Sequence, residues 1–181
     1  ELAQARRQLE LDMRRALSVG DFHLHYQPII NLASGEVVCF EALLRMNHPV
    51  RGTISPSEFI PVAEETGLVV PMGDWTIREA CREAATWPGS IRVAVNLSSV
   101  QFVRGNILSS VMSALASSGL PASRLELEIT ESVILEKTER NISILNQLRE
   151  LGVRISMDDF GTGYSSLSYL RSFRFDKIKI D

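Results

Sequence analysis

Carboxylate and amide side chains recur at the ends of the predicted strands of this chain. Asn96 and Glu128 lie near the ends of the segments IRVAVNL and RLELEIT. Asp158 and Asp159 end the segment VRISMDD, and Glu41 lies in VVCFEALLRMNH. Carboxylate and amide oxygens are the ligands that Mg²⁺ and Mn²⁺ prefer. The pattern therefore predicts a divalent-metal site built from strand ends.

The charge balance of this set also favours a metal. Its acids outnumber the cations Arg45 and Lys179, and an unpaired buried carboxylate costs several kcal/mol. Asp158 and Asp159 are adjacent and point in different directions, so they can serve two metals, or one metal and a water. Two metals about 3.5–4 Å apart clamp an in-line displacement at phosphorus. Sugar-acid or enolate chemistry fits an acidic mouth as well, and the residues alone leave both open.

Two other patterns are less specific. His23 and His25 share one strand, which is a poor match for a zinc site and favours a structural role. The glycine-rich segment 161–166 follows the two aspartates and precedes a predicted helix. Such a turn can cradle phosphate. We favour the alternative that it is a flexible loop whose backbone positions the aspartates.

The elements that must position these side chains alternate in type. Period-two patterns predict a hairpin of strands over 22–30 and 37–48. Ser55 and Pro56 predict the start of a helix that ends at Gly67. Further helices are predicted over 1–19, 72–87, 99–118, 138–151 and 164–172, and further strands over 91–97, 124–130, 153–159 and 176–181. Repeated strand–helix units indicate a mostly parallel sheet.

Each predicted strand has one apolar and one polar face. An open doubly wound sheet needs apolar residues on both faces, so this pattern fits a closed barrel better. The charged face then lines the interior, and the active site of such barrels lies at the carboxyl ends of the strands. The competing interpretation is that the charges only stabilise the interior. We expect this purely stabilising role for Arg92, Glu126 and Arg154, which lie nearer the amino ends of their strands.

Composition excludes several classes of protein. The 181 residues carry 19 Lys and Arg against 22 Asp and Glu, a net charge of −3 that argues against non-specific nucleic-acid binding. No apolar run approaches a membrane span or a signal peptide. With only Cys39 and Cys81, the chain is no disulfide scaffold, and we expect a cytoplasmic location.

Six motifs, in order, resemble the EAL domain, the bacterial cyclic di-GMP phosphodiesterase family. The motifs are Tyr26–Pro28, Glu41–Arg45, Asn96–Ser98, Glu128–Glu131, Asp158–Ser166 and Lys179–Asp181. The likeness covers essentially residues 10–181. It implies a modified (β/α)8 TIM-like barrel with an antiparallel first strand. It also implies hydrolysis of cyclic di-GMP to linear pGpG, dependent on Mg²⁺ or Mn²⁺, with two ions when active.

The resemblance assigns a role to individual residues. The implied metal ligands are Glu41, Asn96, Glu128 and Asp158, with Asp159 serving the second metal. Glu41, Asp159 and Lys179 are the implied catalytic residues, and Lys179 resembles the lysine beside the attacking water. Gln27, Leu44, Arg45 and Lys179 resemble contacts to the dinucleotide. Glu131 resembles the glutamate that supports the loop after Asp159; as an alternative, it is a carboxylate at a helix N-terminus.

The chain also departs from the family pattern. Met46 stands where an aromatic is frequent and Arg174 where proline is, and neither bears on the chemistry. A (β/α)8 barrel needs about 250 residues, and only six strands are predicted. We expect a connector helix over 1–19, favoured over a helix that merely packs on the domain, because the chain begins inside the helical pattern. Residues 20–181 then form an EAL domain without its last two strand–helix units and their glutamates.

The resemblance leaves more than one function open. The first is the phosphodiesterase, in a parent protein that carries an upstream sensory or GGDEF-type domain and forms a homodimer. A non-catalytic receptor for cyclic di-GMP is the alternative. A third possibility is a folding or dimerisation piece, and for the 181-residue chain alone we expect little or no hydrolysis.

Overall fold

The fold is a sheet of mainly parallel strands with helices on its outer face. The computed structural model describes residues 2–130, 132–133, 139–160 and 173–180. The strands are β1 (Phe22–Ile30), β2 (Val37–His48), β3 (Gly52–Ile54), β4 (Arg92–Leu97), β5 (Leu125–Thr130), β6 (Arg154–Phe160) and β7 (Lys177–Ile180). The helices are α1 (Leu2–Val19), α2 (Pro56–Thr66), α3 (Val69–Ala84), α4 (Ser99–Arg104), α5 (Ile107–Ser118) and α6 (Glu139–Glu150), with a 3₁₀ turn over Ala122–Arg124. The predicted helix over 164–172 and the glycine-rich segment 161–166 lie outside the described residues.

The strand order is β1-β2-β4-β5-β6-β7, with the short β3 paired to β2. β1 and β2 are antiparallel, and the remaining pairs along this path are parallel. The predicted hairpin and antiparallel first strand are therefore confirmed, and β3 is an element that the sequence did not indicate. Within the described residues, nothing pairs with the outer edges of β1 and β7, so the sheet does not close into a barrel.

The apolar face of the central strands forms the main core. Side chains of β4, β5 and β6 pack against α3, α5 and α6, as the alternating pattern predicted. Val93, Leu125 and Ile155 are completely buried there. Ile178 and Ile180 of β7 are instead 40% and 82% exposed, because β7 forms the edge of the described sheet.

Helix boundaries differ from the predicted ones at two places. α3 spans Val69–Ala84 rather than 72–87, so it begins and ends three residues earlier than predicted. The single helix predicted over 99–118 is two helices, α4 and α5, separated at Gly105 and Asn106. Asn106 starts the second helix, because its side chain accepts a hydrogen bond from the Ser109 backbone N–H.

Helix α1 packs on a second apolar cluster, against β2 and α2. Leu9 and Met13 of α1 lie there beside Phe59 of α2. At the same junction, Asp12 Oδ2 lies 3.3 Å from His48 Nε2. The connector role of α1 stays a prediction. None of the described helices combines the length and the apolar character needed to cross a bilayer.

Candidate active site

Three carboxylates from three different strands converge on one lysine at the carboxyl end of the parallel sheet. Lys179 Nζ of β7 donates to Glu128 Oε2 at 2.7 Å, to Asp158 Oδ2 at 3.0 Å and to Glu41 Oε2 at 3.2 Å. One oxygen of each carboxylate lies within 4.8 Å of the others. Four of the residues singled out from the sequence therefore share one site.

Burial and the neighbouring charges shift the pKa values of this cluster in opposite directions. Glu128 is only 1% exposed, and this burial raises the pKa of its carboxyl even though Lys179 donates to it. Burial disfavours the charged form of Lys179, but the hydrogen bonds from its ammonium group to Glu128 and Asp158 outweigh that effect and raise its pKa. The lysine is therefore held in its charged form and supplies positive charge to the three carboxylates.

The cluster offers the oxygen donors that a hard divalent cation requires. Asn96 of β4 pairs with Glu128 in the sheet register, and its Nδ2 donates to Glu41 Oε1 at 2.7 Å. Glu128 Oε1 is buried and accepts no hydrogen bond from the described residues, although Lys177 Nζ lies 3.5 Å away. A buried carboxylate oxygen without a donor fits a metal ligand. The donor set thus suits Mg²⁺ or Mn²⁺.

Asp159 lies beside this cluster on a distorted stretch of β6. Its φ of 54° is left-handed, which is uncommon for a residue other than glycine. Its backbone N–H donates to Asp158 Oδ1 at 3.0 Å, and the pairing of β6 with β7 is irregular between Met157 and Phe160. The adjacent aspartates therefore do not simply alternate across the strand, and Asp159 is not one of the three converging carboxylates.

A second charged layer lies below the first on the same face of the sheet. The buried Glu126 makes an ion pair with Lys177, lies 3.6 Å from Arg92 Nε and 3.9 Å from Arg154 Nε, and accepts a hydrogen bond from Ser156 Oγ at 2.6 Å. Burial opposes ionisation of Glu126, but the bonds from Lys177 and Ser156 hold its pKa below the ordinary value. The structural pairing expected for Arg92, Glu126 and Arg154 is confirmed.

Lys177 is the charged residue of this interior that sequence reasoning missed. It joins the two layers, because its ammonium group pairs with Glu126 and lies 3.5 Å from Glu128 Oε1. The signal was present in the segment KIKI, where period-two alternation puts Lys177 on the same face as Lys179.

Glu126→Gln should destabilise the fold. Among the described residues, Glu126 is the one carboxylate that Arg92, Arg154 and Lys177 share, and the change removes its charge. We expect a loss of about 2–3 kcal/mol in unfolding free energy, below the full cost of a buried unpaired charge, because the three cations keep partial access to water. Urea denaturation followed by circular dichroism measures it. Glu150→Gln on the exposed end of α6 is the control, and an equal shift in both variants would contradict the assignment.

The residues that resemble dinucleotide contacts lie next to the acidic cluster. Gln27 on β1 is the register partner of Glu41. Leu44 and Arg45 line a cavity of about 340 Å³ that Asn96 also borders. Arg45 Nη1 donates to the Leu44 carbonyl at 2.9 Å, which orients the guanidinium. The residue expected to support the neighbouring loop, at position 131, lies outside the described residues.

The sheet topology and the acidic cluster are features of one group of enzymes. Parallel strands that carry acids, an amide and a lysine to their carboxyl ends are typical of TIM-like barrel enzymes. The family comparison matches residues 10–181 to the EAL domain. The chain belongs to the EAL domain family.

Curated and solved relatives agree with this membership. Uncharacterized protein y4lL of Sinorhizobium fredii is 54% identical over 98% of this chain and 22% of its own length. The bifunctional diguanylate cyclase/cyclic di-GMP phosphodiesterase MucR of Pseudomonas aeruginosa is 44% identical over 99% of this chain and 27% of its own. A solved PaMucR phosphodiesterase in complex with c-di-GMP has a TM-score of 0.91 at 44% identity, covering 96% of this chain and 72% of that one. The chain thus spans about a quarter of the length of these curated relatives.

Proposed function

We propose that the protein containing this chain is a metal-dependent phosphodiesterase that hydrolyses cyclic di-GMP to linear pGpG. The observation that carries the proposal is the convergence of Glu41, Glu128 and Asp158 on Lys179, beside a cavity bordered by Arg45. The phosphodiesterase names of the relatives support the same reaction and substrate.

The metal-binding part of the proposal rests on the oxygen donors of the cluster. Glu41, Glu128 and Asp158, with the side-chain oxygen of Asn96, would hold Mg²⁺ or Mn²⁺, and Asp159 would serve a second ion. When bound, such ions supply positive charge to the phosphoryl oxygens and lower the pKa of water.

Lys179 has a distinct role in this proposal. Its ammonium group is held charged by the carboxylates around it. Once those carboxylates have another source of positive charge, the same ammonium group can donate to the attacking water or to a phosphate oxygen. Lys179 then orients the nucleophile or stabilises charge that develops on the phosphate.

Substrate binding falls to the residues that surround the cavity. Arg45 uses one N–H on the Leu44 carbonyl, and a guanidinium carries further donors in a fork that matches phosphate. Leu44 contributes an apolar wall to the cavity. We propose that Gln27, the register partner of Glu41 on the adjacent strand β1, contacts the sugar–phosphate ring of the substrate.

Arg45→Ala should weaken substrate binding far more than metal binding. Loss of a charge-assisted phosphate contact is expected to raise KM about ten- to a hundredfold, with the dependence on Mg²⁺ concentration unchanged. Steady-state kinetics across a range of Mg²⁺ concentrations separates the two effects. Arg51→Ala, an exposed arginine that pairs with Glu58, is the matched control. An unchanged KM for Arg45→Ala would count against this role.

A non-catalytic cyclic di-GMP receptor is the second candidate. The observation that favours it is the contact of Lys179 with all three carboxylates, which supplies part of the compensating positive charge from within the chain. A receptor of this kind would use the same cavity and the same arginine.

Incubation of the full-length protein with cyclic di-GMP, with and without Mg²⁺, tests the proposal. Chromatography resolves the products. Mg²⁺-dependent pGpG is the expected result. Saturable binding of cyclic di-GMP without any product would support the receptor and overturn the phosphodiesterase.

The setting of the domain is also a proposal. We propose that the parent protein carries further domains of the sensory or GGDEF type, because its relatives are about four times as long and one is named bifunctional. A homodimer is proposed from the family likeness and is testable by light scattering.

The free, buried Cys39 and Cys81 suit a reducing compartment, and we propose the cytoplasm.

A further inference from the structure

Lys177 of β7 reaches a member of the acidic cluster, although the proposed reaction gives it no role. Its ammonium group pairs with Glu126 in the lower charged layer. The same Nζ lies 3.5 Å from Oε1 of Glu128, a proposed metal ligand. Lys177 therefore lies between a carboxylate that holds the interior together and a carboxylate of the candidate active site.

The register of the sheet explains why this ammonium group reaches Glu128. Glu128 of β5 pairs with Ser156 of β6, and Ser156 pairs with Lys177 of β7. The three residues thus form one row across neighbouring strands. Ser156 is small and completely buried, so the long side chain of Lys177 can extend over it toward Glu128. A larger side chain in the middle of the row would separate the two charges.

The lower layer fixes Lys177 in place. Glu126 is 1% exposed, and its Oε1 accepts a hydrogen bond from Ser156 Oγ at 2.6 Å in addition to the ion pair with Lys177. Arg92 and Arg154 approach the other oxygen, Oε2, at 3.6 Å and 3.9 Å. An ammonium group carries three donors, so the bond to Glu126 leaves donors that can face Glu128.

Glu128 depends on neighbouring side chains for its orientation because it is almost inaccessible to water. It is 1% exposed, and its Oε2 accepts from Lys179 Nζ at 2.7 Å. Its Oε1 accepts no hydrogen bond from the described residues, and Lys177 faces this oxygen. Groups that hold a metal ligand in place are known to contribute to metal affinity without touching the metal.

A positive charge beside a metal ligand can also repel the metal. For Lys177 this repulsion is reduced, because Glu126 neutralises the ammonium group within the same ion pair. Lys179 differs, since its ammonium group contacts three of the proposed ligands directly and competes with the metal for them. The two lysines of β7 should therefore have opposite effects on metal binding.

We propose that Lys177 is a positioning residue for Glu128. Anchored on Glu126, its ammonium group holds the Glu128 carboxylate in the orientation that binds the metal. The role assigned to Lys177 is exerted through Glu128 alone. This inference rests on the proposed function, since it concerns a metal ligand of that same site.

Lys177→Met in the full-length protein, without substrate, tests the proposal. Methionine keeps most of the length of the side chain but lacks the charge and the donors. We expect Kd for Mn²⁺, measured from the paramagnetic signal of the free ion, to rise about tenfold. Lys177→Arg should restore most of the affinity, because it keeps a charged donor. Unchanged or tighter Mn²⁺ binding in Lys177→Met would overturn the inference.

Arg154→Met is the matched control. It removes another cation that approaches Glu126, and within the described part of the chain this cation makes no ion pair with Glu128. The variant should lose stability in urea denaturation while its Kd for Mn²⁺ stays at the wild-type value. An equal rise in Kd in Arg154→Met and Lys177→Met would mean that both act only through the stability of the lower layer, which would overturn the positioning role.

Two further outcomes separate this inference from the proposed function. If the wild-type protein binds no Mn²⁺, the metal dependence of the proposed function fails, and the inference fails with it. If the wild-type protein binds Mn²⁺ and no substitution of Lys177 weakens that binding, only the inference is overturned. Should Lys177→Met not fold, Lys177→Gln carries the same comparison, since its neutral side chain can still donate to Glu126 but brings no charge to Glu128.

Discussion

Glu41→Ala is expected to abolish hydrolysis of cyclic di-GMP, lowering kcat by at least about 10³-fold. The substitution removes one of three carboxylates whose oxygens lie within 4.8 Å of one another. It also removes the acceptor for Asn96 Nδ2, so two proposed metal ligands are disturbed at once. Loss of a group that only supports a metal ligand lowers metal affinity or activity about 10–100-fold. Loss of a ligand itself should lower activity more.

The measurement is product formation over a wide range of Mg²⁺ and Mn²⁺ concentrations, with metal affinity followed separately by the paramagnetic signal of Mn²⁺. The matched control is Glu36→Ala in the exposed turn of the same hairpin, which should keep full activity. Metal-dependent turnover close to wild type in Glu41→Ala would refute the ligand assignment.

Lys179→Met is expected to change stability, metal response and turnover in different directions. Without metal, the three carboxylates lose the ammonium group that contacts all of them. The free energy of unfolding should fall by about 2–4 kcal/mol. Saturating Mn²⁺ should restore more stability than in wild type, because the ion no longer competes with the lysine. Turnover should still fall by at least about 10²-fold, since the proposed donor to the attacking water is gone.

Thermal unfolding with and without Mn²⁺, together with product chromatography, measures all three quantities. Arg78→Met, an exposed position on α3, is the control for loss of a positive charge. Weaker stabilisation by Mn²⁺ in Lys179→Met than in wild type would show that the lysine supports the metal instead of competing with it.

Local pattern was enough to predict most of the elements. The hairpin of β1 and β2, the start of α2 at Pro56 and its end at Gly67 follow from short-range rules that concern neighbouring residues. The separation of α4 from α5 was missed because the helical pattern of the sequence continues across Gly105. The break becomes visible only from the side chain of Asn106, which caps the start of the second helix.

The sequence predicted which residues form the site and that they lie near strand ends. It did not predict which of these side chains contact one another. Period-two alternation put Glu128, Asp158 and Lys179 on the polar faces of their strands, since the side-chain direction in a strand is a local property. The resemblance to the EAL domain added their proposed roles, and the family membership is confirmed over residues 10–181.

The tertiary structure decided which polar groups meet. Lys179 reaches Glu41 across 138 residues of sequence and Glu128 across 51, which depends on strand order and register rather than on local pattern. The left-handed backbone of Asp159 likewise lies where the pairing of β6 with β7 is irregular, which no local pattern predicted.

Lys177 shows the same division between sequence and structure. Period-two alternation puts it on the polar face of β7. Its position between Glu126 and Glu128 depends on the order of β5, β6 and β7 and on the small Ser156 in the middle of the row. The elements, their polar faces and the family could be predicted from the chain alone, because they depend on residues close together in the sequence. Only the packing of distant elements decided the charge pairing of the site and the polar groups that border its cavity.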